Sequence, residues 1–273
     1  MYTNGSSRLL GTEPPNETHL RFMLPSCLSL QKLIDHGVSL VDHQIHTHYS
    51  DGADNPAECV RVAKERKLTE IAFTDHVWRS SEWVGSYVEE IEKERRDNPD
   101  LRILAGVEAK AVDHHGNVDI SSEAFGLVDY VMGVVHRYQP DVSGDLTQLS
   151  PIKAAEMETA ITLQLLENPI VSVIGHPTRT YYKFFYPDQT RDPFPAELIS
   201  QMTARAKACG KPLEVNARVP HLERFLQILL EDDVTFTIGS DAHSASEVGD
   251  VSFSMFNDVL NKIDRNKSSE VQK

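Results

Sequence analysis

The stretch Val41-Asp42-His43-Gln44-Ile45-His46-Thr47-His48-Tyr49-Ser50-Asp51-Gly52 decides how the chain is read. It begins as a short β-type run and ends in the turn chemistry of Ser50-Asp51-Gly52. Residues two apart on a strand point to the same side. Asp42, Gln44, His46 and His48 are therefore expected in one row, with His43 on the opposite face. Asp51 can add a carboxylate from the turn. Imidazoles and oxygens aimed at one spot suit a metal, provided that the rest of the chain sends matching ligands.

Working outward, short β-branched runs alternate with longer amphipathic stretches, the pattern of βαβ units around a parallel sheet. Strands are expected at 40–45, 70–74, 102–107, 130–135, 170–174, 212–215 and 235–238. Helices are expected at 56–67, 82–96, 151–167, 195–208, 221–230 and 247–263. Residues 112–122, 137–150 and 178–193 read as loops. The last holds Tyr181, Tyr182, Phe184, Phe185 and Tyr186, which shape a pocket mouth, pack, or make an oligomer contact. Seven strand-and-helix units predict the α/β class and a distorted (β/α)7 TIM-like barrel over residues 39–264. A partly flexible extension is expected at 1–38, with a short helix near 28–36, and a disordered tail at 265–273.

In such barrels the active site lies at the C-terminal ends of the strands. The ligand-type residues fall there. Gln44, His46 and Asp51 follow strand one, Asp75 and His76 strand two, and Glu108 strand three. His136 follows strand four and His176 strand five, Asn216 ends strand six, and Asp241 and His243 follow strand seven. Imidazole nitrogens and carboxylate oxygens without thiolates suit Zn, Mn or Fe. About eight such groups exceed what one ion takes, so two or three divalent metals are expected, with Glu108, mid-set, as their bridge. Clustered ions of this kind suit phosphoryl transfer to water. Arg137, Arg179 and Arg218 also follow strand ends, and guanidinium is shaped for bidentate contact with phosphate.

The charge balance narrows the partners. With 27 basic and 41 acidic residues the net charge is −14, which argues against binding long nucleic acid. A small phosphorylated substrate stays compatible, because the field at a site can differ from that of the whole surface. No apolar run is long enough to span a membrane, and the start lacks the pattern of a secretory signal. Cys27, Cys59 and Cys209 are too scattered for a disulfide framework. A cytoplasmic protein is expected.

Taken in order, these motifs resemble those of the polymerase and histidinol phosphatase (PHP) family of metal-dependent phosphoesterases, over roughly residues 39–250. The family's opening His-x-His-Thr-x-x-Ser-Asp-Gly is met by residues 44–52, with Gln44 in first place. Thr74-Asp75-His76, Gly106-Val107-Glu108, Val135-His136, Gly175-His176-Pro177, Glu214-Val215-Asn216 and Ser240-Asp241-Ala242-His243 follow. The resemblance implies metal ligands at His46, Asp51, His76, Glu108, His136, His176, Asp241 and His243. Gln44 could ligate through its carbonyl oxygen, more weakly than imidazole, so one metal position is expected to be altered. Residues 106–136 are similar to PHP domains attached to bacterial family X DNA polymerases.

The activity this implies is hydrolysis of a small phosphomonoester, in the manner of histidinol phosphatases, by attack of metal-bound hydroxide. Glu108 would bridge the metals, and Asp75 and Asp241 would handle protons or orient histidines. Arg137, Arg179, Arg218 and Asn216 would hold the substrate. The alternatives are a phosphodiesterase or 3'-5' exonuclease on short nucleic acid, a metal-dependent hydrolase of C–N bonds, and a PHP-fold protein whose degenerate metal site does not catalyse. Gln44 is the only support for the last.

Overall fold

The structure is a computed structural model that describes residues 23–137, 149–185, 193–251 and 253–270, with side chains through Ile263. In chain order the strands are β1 (Val41–Ile45), β2 (Glu70–Phe73), β3 (His76–Val77), β4 (Arg102–Lys110), β5 (Tyr130–Val134), β6 (Val173–Ile174), β7 (Leu213–Asn216) and β8 (Phe236–Gly239). All pairings are parallel, in the order β1-β2-β4-β5-β6-β7-β8, with β3 on β4. Helices include α1 (Leu30–His36), α2 (Pro56–Glu65), α3 (Val84–Asp97), α4 (Ser122–Phe125) and α5 (Pro151–Glu167). They continue with α6 (Arg179–Phe185), α7 (Ala196–Cys209), α8 (Leu222–Glu231) and α9 (Phe253–Glu270). Among the described residues no helix is long and apolar enough to cross a membrane.

Local chemistry sets the helix ends. Asn55 caps α2 by accepting from the Glu58 amide, with Pro56 in the first turn, where its missing N–H costs nothing. Gly210 ends α7 in the left-handed conformation that a Cβ disfavours.

The seam between β1 and β8 makes this a nearly closed barrel of seven parallel strands. The His46 amide donates to the Ala242 carbonyl at 2.8 Å. The buried Asp42 carboxylate accepts from Ser240 N at 2.9 Å, Ser240 Oγ at 2.5 Å and Gly249 N at 2.7 Å. Asp42 is thus a seam residue and does not join the row of ligands expected from strict alternation. The reason is a register shift between Asp42 and Ile45, where β1 bulges against β2. Such bulges re-aim side chains beside active sites.

Three other differences have local causes. Residues 179–185, expected as loop, form a helix because its aromatics pack at helical spacing: Tyr181 stacks on Phe185 and meets Phe194 edge-on. Tyr181 and Tyr182 are buried and Phe184 is half exposed; Tyr186 and most of 137–150 lie outside the described residues. Residues 265–270, expected within a disordered tail at 265–273, continue α9 through Glu270, and no Gly or Pro interrupts residues 264–270; residues 271–273 lie outside the described residues. The two-residue β3 has no periodic signal to announce it.

Below the site, a polar knot ties the segment before α1 to the sheet. Glu70 accepts from Ser26 N at 2.6 Å and Ser26 Oγ at 2.5 Å, pairs with Arg102 at 2.7 Å, and meets His43 Nε2 at 3.0 Å. Burial alone would raise its carboxyl, but the His43 and Ser26 bonds outweigh it and hold Glu70 near pKa 2. A depressed folded pKa contributes stability that is present above the unfolded value, about 4.3, and lost as pH falls through the folded one. Glu70→Gln is therefore expected to lower the urea unfolding free energy by ~2 kcal/mol at pH 7. The gap should narrow between pH 4 and 2; equal stabilities at pH 7 would contradict the knot.

Candidate metal centre

Glu108 stands at the middle of the site. It lies on β4 in register with His76 on β3 and is 1% exposed. Its Oε1 is 2.6 Å from His136 Nε2, 3.2 Å from His76 Nδ1 and 3.6 Å from His176 Nε2. Its Oε2 is 3.4 Å from His46 Nε2 and accepts from Gln44 Nε2 at 2.5 Å. Around His46 a second group gathers. His46 Nε2 is 3.3 Å from Asp241, and Asp51 Oδ2 is 3.3 Å from His76 and 3.4 Å from His243. All these side chains come from the C-terminal ends of strands or from the turns after them, where the sequence placed them.

The electrostatics follow from burial and mutual contact. Burial opposes the ionised form of Glu108, yet its neighbouring histidines, His136 foremost, hold its carboxyl well below the usual range. Burial pushes His176 down to about 4. Burial, and then the neighbouring His46, push His243 to about 4. Both rings are thus neutral at pH 7, with lone pairs to offer. Asp51 resists its partial burial and is lowered by His76, His46 and His243. The backbone is left-handed at His176, Thr178 and Asp241, conformations that persist only where surrounding structure enforces them.

The donor set fits divalent ions. Ligand atoms of His46, Asp51, His76 and His243 lie within 4.8 Å of one another, as do those of His76, Glu108 and His136. Both ring nitrogens of His46 and Nδ1 of His176 are buried without a hydrogen bond of acceptable geometry. Buried polar atoms are normally satisfied. Imidazole nitrogens and carboxylate oxygens that converge in this way are arranged around shared points, as metal ligands are.

Other expected site residues sit elsewhere. The Gln44 carbonyl oxygen accepts from Asn216 Nδ2 at 2.5 Å, while its amide nitrogen faces Glu108. Gln44 thus bridges two side chains, with its ligating atom already engaged. Asn216 is fully buried and its Oδ1 accepts from the Arg218 amide. Arg218 turns to Glu247 at 2.9 Å. Asp75 does not reach the histidines; it accepts from Thr47 N, Thr47 Oγ1 and Ser50 Oγ at 2.7–2.9 Å and so pins the first turn. His48 is exposed and lies against Tyr49. His43 faces Glu70 on the far side.

The cluster opens into a cavity of about 240 Å³ whose lining adds Arg137, Arg179, Thr180 and Lys183 to the ligand-type side chains. Arg179 pairs with Asp241. Sequence reasoning missed Lys183 because residues 178–193 read as loop; its place one helical turn after Arg179 shows only once α6 exists. It also left Glu214 without a role. This buried residue accepts from the His176 amide at 2.6 Å, and burial raises it to about 8. A Cβ at position 239 would strike its Oε1, so glycine there makes room for it.

The profile of the PHP domain matches residues 42–218, and the chain belongs to the PHP domain family. A protein named "Probable phosphatase" from Clostridium novyi (strain NT) is 26% identical over 61% of this chain and 62% of its own length. The "DNA polymerase/3'-5' exonuclease PolX" of Bacillus subtilis (strain 168) is 25% identical over 81% of this chain. The chain spans about six-tenths of the first relative and 37% of the second. A histidinol phosphate phosphatase from Lactococcus lactis, solved with zinc, L-histidinol and phosphate, superposes with a TM-score of 0.63. That likeness covers 81% of this chain and 92% of the other at 21% identity, and concerns the fold.

His76 belongs to both donor groups, whereas Asp51 belongs to one. On elemental analysis after purification with manganese or zinc, Asp51→Asn is expected to lose about one of two ions and His76→Ala more than one. Equal metal content in wild type and His76→Ala would contradict the shared-ligand arrangement.

Proposed function

We propose that this chain is a metal-dependent phosphoesterase that hydrolyses a small phosphomonoester. The observation that carries this reading is the buried Glu108 carboxylate ringed by His46, His76, His136 and His176, at the floor of a cavity edged by arginines. His46, Asp51, His76 and His243 would hold one ion, and His76, Glu108 and His136 another. His176 and Asp241 stand beside them. Bound divalent ions supply a nucleophile at neutral pH and neutralise charge on the attacking and leaving oxygens.

The remaining residues position and bind. Arg137 and Arg179 face the cavity and suit bidentate contact with phosphate oxygens. Asp75 fixes the turn that carries Asp51 by holding Thr47 and Ser50. The Gln44 amide fixes Glu108 Oε2 and links it through Asn216 to Glu214. In this reading Gln44 holds the Glu108 carboxylate in place and contributes no ligand atom. The family and the neighbour's phosphate complex support the ester class. Phosphodiester cleavage of short nucleic acid is the second reading, favoured by the likeness to the Bacillus polymerase/exonuclease. The cavity volume and the net charge of −14 favour the small monoester.

Manganese- or zinc-loaded protein is expected to release phosphate from p-nitrophenyl phosphate faster than p-nitrophenol from the bis-ester, and a chelator should abolish both. Glu108→Gln should lower kcat/KM by about 10²-fold or more. A fully loaded wild-type protein inert towards both esters would overturn the reading.

A further inference from the structure

With the ligand-type side chains set aside, the cavity lining consists of Arg137, Arg179, Thr180 and Lys183. Among the described residues, every carboxylate on the cavity wall (Asp51, Glu108, Asp241) sits in the donor cluster. Among the described lining residues, what is left to meet the substrate beyond its phosphate is therefore cationic or neutral. This is conspicuous on a chain of net charge −14, because a local field opposite to the overall charge has to be built by particular residues.

The cations are not equivalent. Arg179 is tied to Asp241 at the cavity floor, and burial lowers its pKa. Thr180 spends its hydroxyl on the Val135 carbonyl. Lys183 lies four residues, one helical turn, further along α6 on the same face as Arg179. It is exposed and pairs with no carboxylate among the described residues. Arg137, exposed three residues after β5, likewise has no such partner among the described residues. A single phosphate at the cluster would be within the province of Arg179 and Arg137, which line the cavity; Lys183 follows Arg179 one helical turn later.

We propose that the substrate is a phosphomonoester bearing a second anionic group, a carboxylate or another phosphate, and that Lys183 selects it. A substrate with a cationic amine in that place is disfavoured, since the described wall offers it no carboxylate outside the donor cluster. This rests on the phosphoesterase reading and specifies its substrate class. Lys183 is a binding and specificity residue and takes no part in proton transfer.

The test uses phosphonates, which bind without being cleaved, with isothermal calorimetry on the metal-loaded full chain. Four probes share a three-carbon frame: propylphosphonate, 3-aminopropylphosphonate, 3-phosphonopropionate and propane-1,3-diphosphonate. The expected order places the two doubly anionic probes about tenfold tighter than propylphosphonate, and the amine weakest. The carboxylate and diphosphonate arms show which second anion is preferred. Lys183→Gln should cut the advantage of the doubly anionic probes to about twofold, and Lys183→Arg should largely restore it. The salt dependence of the advantage should shrink with Lys183→Gln.

Equal affinity for all probes, or an amine-bearing probe that binds best, would overturn the proposal while leaving the phosphoesterase reading in place. An unaltered advantage in Lys183→Gln would overturn the role of Lys183. If no phosphonate binds and no ester releases phosphate, the phosphoesterase reading fails, and the proposal fails with it.

Discussion

A carboxylate at 1% exposure sets the terms for the top of this barrel. Removing an ion from water is costly, and a buried charge persists only where it is paired and hydrogen-bonded. Glu108 meets that condition with imidazoles from four strand ends and one amide. The four imidazoles arrive from four different strand ends, so the closure of the barrel is a precondition of the site. The β1–β8 seam, tied by Asp42 to Ser240 and Gly249, places His46 and Asp241 within 3.3 Å. A second buried ion, Glu70, fastens the opposite side. The barrel thus carries paired charge above and below an apolar inner layer of Ala72, Leu104, Tyr130, Met132, Val134 and Val173.

Gln44 shows how one substitution can be absorbed. Its amide has a donor and an acceptor end. The donor end takes Glu108 and the acceptor end takes Asn216, whose amide also reaches Glu214. Polar chains of this kind specify a unique arrangement when each member is satisfied. Here one atom is not: Glu214 Oε1 has no partner, and the group is held towards its neutral form by burial. The chain below the cluster therefore links the floor of the site to the backbone of His176, where φ is left-handed.

Much of this was legible in the sequence. The alternation of β-branched runs and amphipathic stretches located the seven principal strands, because period and turn chemistry are local signals. The sequence puts His46, Asp51, His76, Glu108, His136, His176, Asp241 and His243 at or just after strand ends, and the structure brings their side chains together. What escaped depends on register and on contacts distant in sequence. The bulge between Asp42 and Ile45 moves Asp42 to the seam, and no pattern in residues 41–45 announces it. Asp75, Asn216 and Arg218 sit at strand ends as expected, yet Thr47, Gln44 and Glu247 claim them. Lys183 was hidden because its helix is stabilised by aromatic packing onto Phe194 rather than by a cap or a long amphipathic repeat.

Anomalous diffraction at the metal edge, on crystals of the protein loaded with manganese or zinc, separates the possibilities with one measurement. The expected map has one peak inside the group of His46, Asp51, His76 and His243, and another beside His76, Glu108 and His136. The Gln44 oxygen should remain on Asn216 and contact neither peak. A peak coordinated by the Gln44 oxygen, or no peak within reach of Glu108, would contradict a centre organised on that carboxylate.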